Sequence, residues 1–191
     1  MATVIVLVTT LVIVPGSSLV VMYNRFVRQR TLIDSSWGGV DVELTRRHEL
    51  IPNLVSTVQG YADHERTVLA ELVRAREEAR AHHDDPPGDR QGFEESVGRS
   101  LTQVLVRAEA YPDLKASGNF LQLQTELTNT EDRIAAARRF YNLNVGAYNT
   151  RVATFPSNLV AGAFDFTARS FFEVTDAAAR QAPDVGPFPR G

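Results

Sequence analysis

The spacing of apolar positions divides the chain into a uniform segment and several periodic ones. From Met1 to Asn24 no side chain is charged, and Val4 to Val14 is apolar on all sides. After that stretch, Ile33, Trp37, Val40, Leu44, Arg47, Ile51, Leu54, Val58, Tyr61, Glu65, Val68, Leu72, Ala75 and Ala79 follow at alternating intervals of four and three. Such a seam is the stripe of a helix packed along its length. The phase passes Pro52 without a reset. It therefore predicts one rod-like helix from about Arg25 to His83, roughly 59 residues and near 88 Å. Pro52 would kink the rod, because it has no N–H to give to the carbonyl of His48. The alternative is two antiparallel helices meeting at Ile51-Pro52-Asn53.

The loop His83-Asp84-Asp85-Pro86-Pro87-Gly88-Asp89 ends this element. A second stripe follows at Phe93, Val97, Leu101, Val104, Ala108 and Tyr111, and Tyr111-Pro112-Asp113-Leu114 breaks it. A third helix is predicted from about Asn119 to Thr154, with Phe120, Leu127, Ile134, Tyr141, Val145, Tyr148 and Val152 on its stripe. Phe155-Pro156 stops it, since the residue before proline avoids the helical region. Ser157 is placed to cap a short fourth helix carrying Leu159, Val160, Ala163, Phe164 and the Phe171-Phe172 pair. No β-period alternation of useful length occurs. The fold class expected is all-α: an N-terminal transmembrane helix (1–24), then an elongated antiparallel bundle of three to four helices (25–175). Residues 176–191 are rich in proline and glycine and are expected to be a disordered tail.

Ala2 to Met22 is a run of 21 residues. As a helix it is roughly 32 Å long, enough to cross a hydrocarbon core of about 30 Å. A cleaved signal peptide would have a basic start and a small-residue cleavage site. Met1-Ala2-Thr3 and Val21-Met22-Tyr23 supply neither. Pro15, Gly16, Ser17 and Ser18 allow a kink or a re-entrant path. Arg25, Arg28 and Arg30 follow the segment, and such charges stay on the cytoplasmic side. The expected placement is single-pass in the cell membrane, with the N-terminus outside and the C-terminal domain in the cytoplasm.

Composition adds constraints. The net charge is only −3, which gives no general pull toward nucleic acid. The chain has no cysteine, which fits a reducing compartment and removes a thiol nucleophile. The roughly 168 residues after the anchor suit one domain. Arg47 and Glu65 fall on the first seam, and Glu131 and Arg138 on or beside the third. Charged seam positions are costly unless paired, and paired they fix register. Arg47 with Glu131 is the expected pair, with Glu65 the rival partner. A buried polar network that responds to a partner is the second reading. Asn142 and Asn149 are read as helix-to-helix hydrogen bonds.

Catalytic, cofactor and metal sites are not evident. A di-iron bundle uses Glu-x-x-His, but Thr45, Tyr61, Ala79 and Arg80 stand three residues before the four histidines. His64-Glu65 lacks the second histidine of a zinc protease. His82-His83-Asp84-Asp85 could catch a divalent cation but reads as a solvated turn. No phosphate loop or Gly-x-Ser-x-Gly motif occurs, so neither an enzyme nor a small-molecule substrate is indicated.

Several motifs carry a resemblance. Tyr23-Asn24-Arg25-Phe26-Val27, then Trp37, then Arg46-Arg47-His48-Glu49-Leu50-Ile51-Pro52-Asn53-Leu54-Val55 resemble the LemA family. Tyr61-Ala62-Asp63-His64-Glu65, Ala110 to Ser117, Ala137 to Asn142, Tyr148-Asn149, Phe155-Pro156 and Phe171-Phe172-Glu173 continue it in order. The resemblance implies a bacterial single-pass membrane protein with a cytoplasmic helical bundle and no established enzymatic activity. Some members are linked to membrane shaping. The function expected is a non-enzymatic scaffold or adaptor, making helix–helix contacts with a membrane partner or with itself. The alternative is a membrane-shaping protein assembled on the bilayer. Asp34, Asp41 and Glu43, which turn the first helix acidic, favour the scaffold.

Overall fold

The computed structural model describes residues 1–61 and 65–173; the side chains at 2–12 and 14–15 also fall outside that description. Its first helix, α1, runs from Ala2–Gln59 without interruption. Pro52 lies inside it on the exposed side. The missing proline N–H leaves the carbonyl of His48 without its helical donor. Arg76 takes that place, its Nε donating to the His48 carbonyl at 2.7 Å.

Arg76 belongs to α2, Arg66–Ala81, which folds back along the C-terminal half of α1. The rod from Arg25 to His83 is thus corrected to two helices. The break falls between Gln59 and Arg66, and not at Pro52. The seam is misleading because the connection is close to one heptad long. A count of threes and fours runs across it undisturbed, while Leu69, Leu72, Ala75 and Ala79 face the same core from the other side.

Pro87 opens α3, Pro87–Ala108, at a position where a proline costs no hydrogen bond. A single turn, α4 (Pro112–Lys115), buries Leu114 and leads to α5, Gly118–Ala153. The long helices α1 and α5 are antiparallel. Phe26 meets Tyr148 edge-on at 5.9 Å between ring centres, and Trp37 meets Tyr141 at 5.3 Å. The last helix, α6, is Ser157–Ala163. Ser157 does not cap it. Its hydroxyl turns back and donates to the carbonyls of Arg151 (2.7 Å) and Thr154 (2.8 Å), closing the end of α5.

Phe171 and Phe172 are not on this helix either. Asp165 has φ 55°, a left-handed conformation that ends α6, and residues 166–173 continue as an extended strap along α5. Among the described residues the secondary structure is helix without strands.

Two apolar clusters form the interior. One joins Ile51, Leu54 and Val58 of α1 to Leu69 and Leu72 of α2, Val97, Leu101 and Val104 of α3, and Phe120 and Leu127 of α5. The other joins Phe26, Ile33, Val40 and Leu44 to Ile134, Tyr141, Val145 and Tyr148, with Val160 and Phe172 closing it. Among the described residues no helix is long and apolar enough to cross a membrane. Most side chains of the expected span Ala2 to Met22 lie outside that set, as does the expected tail 176–191.

Candidate functional site

Between the two apolar clusters lies a layer of charge. On α1 the clusters are separated by the step from Leu44 to Ile51, and on α5 by the step from Leu127 to Ile134. Arg47 and His48 fill the first gap; Thr130 and Glu131 fill the second. From α3 come Arg90 and Glu94, four residues apart on one face.

Arg47 is 3% exposed and joins all three helices. Its Nη2 donates to Glu94 Oε2 at 2.6 Å and to the Glu94 carbonyl at 3.2 Å. Its Nη1 donates to Glu131 Oε1 at 3.1 Å and Oε2 at 3.3 Å. His48 Nε2 lies 3.1 Å from Glu94 Oε2. Arg90 donates to Asp41 Oδ1 at 2.8 Å, approaches Glu94 Oε1 at 3.7 Å, and lies over the Trp37 ring at 5.1 Å. Gly98 lies against the arginine: a Cβ there would stand 3.8 Å from Arg47 Nη1, an ordinary contact.

Glu94 is the centre of this layer. Burial pushes its carboxyl upward, because desolvation penalises the charged form. The hydrogen bond from His48 and the charge of Arg47 act the other way and prevail, so the carboxyl sits below its usual range. The guanidiniums face carboxylates of other helices, so the layer ties α1, α3 and α5 together.

Sequence reasoning names Arg47, Glu65, Glu131 and Arg138. Of these, the structure brings Arg47 and Glu131 together. Glu65 is elsewhere; it accepts a hydrogen bond from the Tyr111 hydroxyl at 3.1 Å, beyond the apolar cluster. Arg138 stands half-buried two turns further along α5. Arg90 and Glu94 escape the sequence reading, although the signal is present. Arg90, Glu94, Val97, Leu101, Val104 and Ala108 keep the intervals of four and three, so the α3 stripe starts with two charges and not with Phe93.

Asn142 and Asn149 do not join helices. Each holds the strap as a peptide group would. Asn149 Nδ2 donates to the Arg169 carbonyl at 2.9 Å, and its Oδ1 accepts from the Arg169 N–H at 2.8 Å. Asn142 makes the same pair with Phe172, at 3.0 and 2.9 Å. Between these rungs the Tyr141 hydroxyl donates to the Ser170 carbonyl at 2.9 Å.

The remaining candidates are apart. His82 stacks on Phe93, with ring centres 3.8 Å apart, and His83 Nδ1 lies 3.5 Å from Asp41. Among the described residues no three histidine or acidic side chains are grouped to hold a metal ion. Arg25 and Arg28 are exposed on α1, and the Arg30 guanidinium lies 5.9 Å from the Phe166 ring centre. Asp34, Asp41 and Glu43 each lie near an arginine, although the Asp34 side chain stays 65% exposed. They approach Arg169, Arg90 and Arg133 respectively.

The described residues define an all-α bundle with a three-helix ion layer and an asparagine-held strap. The LemA family model matches residues 36–186, and the chain belongs to the LemA family. It is 26% identical over 155 residues to Protein LemA of Metamycoplasma hominis, covering 80% of this chain and 69% of that protein. It is 23% identical over 181 residues to Magnetosome protein MamQ 2 of Paramagnetospirillum magneticum, covering 82% of this chain and 66% of the relative. Magnetosome protein MamQ of Magnetospirillum gryphiswaldense is 22% identical over 180 residues.

Proposed function

We propose that the chain is a membrane-anchored scaffold. The charge-free N-terminal segment holds it in the bilayer, and the bundle docks a membrane partner or another copy through helix–helix contacts. The observation that carries this reading is the continuity of α1. One helix runs from Ala2 to Gln59, so the uncharged segment and the ion layer share a rigid element. Phe140 and Leu143 of α5, 53% and 71% exposed, supply an outward apolar pair for a partner helix.

Carbonate extraction of membranes tests the anchor. The full chain should remain in the pellet, and a chain starting at Arg25 should be released. Release of both forms overturns the anchor. A photo-crosslinker at Leu143 tests the scaffold: discrete adducts, either to one partner or to a second copy, are expected. A chain without adducts in intact membranes refutes docking at this face.

Membrane shaping stands as a second reading on one observation. The acids that counted against a lipid-facing surface are turned toward arginines. Two of the relatives named above are magnetosome proteins. Liposomes that tubulate with purified protein, seen by electron microscopy, would favour this reading; unchanged liposomes favour the scaffold.

A further inference from the structure

The corner between α5 and α6 carries an apolar surface that the interior does not use. Phe155 is 74% exposed, Leu159 65% and Phe164 46%. Single apolar residues on a surface are ordinary, but three large ones on one corner are not. The 13 residues from Val152 to Phe164 contain no charge, and Arg151 precedes them. The opposite end of the bundle differs: Glu65, Arg66, Glu109, Asp113 and Lys115 stand near its connections.

The corner lies beside one point of α1. The Tyr23 ring meets Phe164 edge-on at 4.9 Å and Phe166 at 5.6 Å. Tyr23 is the residue that follows the expected span Ala2 to Met22. A bilayer around α1 therefore has its surface at the level of this corner. Aromatic rings settle at that depth, and interfacial elements bury about 5–10 Å into the headgroup boundary.

We propose that the α5–α6 corner is a second membrane contact, in which Phe155, Leu159 and Phe164 enter the interfacial zone of the bilayer next to the point where α1 leaves it. The contact rests on the anchorage proposed above. It would fix the bundle's tilt, because two separate elements then touch the same surface. The flanking Arg151, Arg25 and Arg28 suit lipid phosphates at the same level.

The absence of native cysteine makes a clean test available. Single cysteines at Leu159, Phe155, Val20 and Val106 in the full chain are labelled with an environment-sensitive fluorophore. The protein is then reconstituted in phosphatidylcholine–phosphatidylglycerol vesicles, with and without lipid carrying a shallow spin label. All four positions are exposed in the bundle itself, and Val106 lies on α3 toward its far end. The contact predicts a blue-shifted emission and loss of most intensity to the quencher at Leu159 and Phe155, with Val106 aqueous and unquenched. Leu159 and Phe155 behaving like Val106 while Val20 is quenched would overturn the corner contact and leave the anchor standing. Quenching at Leu159 without Val20 would support the corner and remove the anchor. Quenching at none of them overturns both.

Discussion

Arg47 faces two carboxylates of unequal burial. The Glu94 side chain is 1% exposed and that of Glu131 is 40%. Removing one partner of a buried pair leaves a charge without compensation and costs about 3–5 kcal/mol. An exposed partner contributes about 0–1 kcal/mol. Arg47→Ala and Glu94→Ala should each be strongly destabilising in urea unfolding, with the double variant costing far less than their sum. Glu131→Ala should cost little, and its coupling to Arg47 should be the smaller of the two. Equal coupling to both acids would mean that burial does not set the ranking. A pH dependence follows from the same residue. The native carboxyl of Glu94 lies below its usual range, whereas in the unfolded chain it titrates near pH 4.3. Stability from Glu94 is therefore present above about pH 4.3 and is lost as the pH falls through the lower native value. In Glu94→Gln that acid-dependent part of the urea midpoint should be missing.

The elements themselves are largely legible in the sequence, because long stripes at intervals of three and four have one simple helical reading. Phe120, Leu127, Ile134, Tyr141, Val145 and Tyr148 mark the buried side of α5. What escapes is whatever depends on a partner. Proline looks like the place for a turn or a kink. In fact α1 passes through Pro52 and runs on to Gln59, since Arg76 satisfies the acceptor that the proline leaves open. This makes a prediction. Arg76→Ala should cost about 1–3 kcal/mol, the penalty of a partly buried carbonyl left without a donor. In a Pro52→Ala background the restored N–H returns to the His48 carbonyl, and the same change should cost clearly less. Additive effects in that cycle would show that Arg76 acts elsewhere. The strap was hidden for a related reason: Phe171-Phe172 is apolar in any conformation, and only the asparagine amides show that it lies extended. Asn149→Ala should speed hydrogen exchange at the Arg169 amide and leave α3 amides unchanged.

At the scale of the whole molecule, the ion layer divides one long interior into two. Apolar stripes alone would let α1 and α5 slide by a heptad with little loss, because similar side chains recur at each step. A charged layer at one level makes the slipped arrangements expensive, since each would bury Arg47 against apolar neighbours. Family and all-helical class are legible from motifs and periodicity, whereas the number of helices is not, since the stripe runs on across the break between α1 and α2. The level of the layer is not, because it depends on which turn of α3 faces Arg47. Orientation is the remaining property at this scale. Arg25, Arg28 and Arg30 follow the charge-free segment. An alkaline phosphatase fusion after Gly191 should therefore be inactive and a fluorescent protein at the same junction bright. Phosphatase activity there would reverse the placement.

The strap has one further consequence, which is metrical. Its two rungs, Asn142 and Asn149, are seven residues apart on a helix, an advance of about 10.5 Å. Their mates, Phe172 and Arg169, are three residues apart in extended chain, an advance of about 10 Å. The two lattices are commensurate, so a helix with one asparagine per heptad is a ruler for an extended peptide read every third residue. The reading uses peptide groups alone, which leaves the side chains of the measured segment unrestricted by the ruler. A single residue inserted between Arg169 and Phe172 would put the two scales out of step, and only one rung could close at a time.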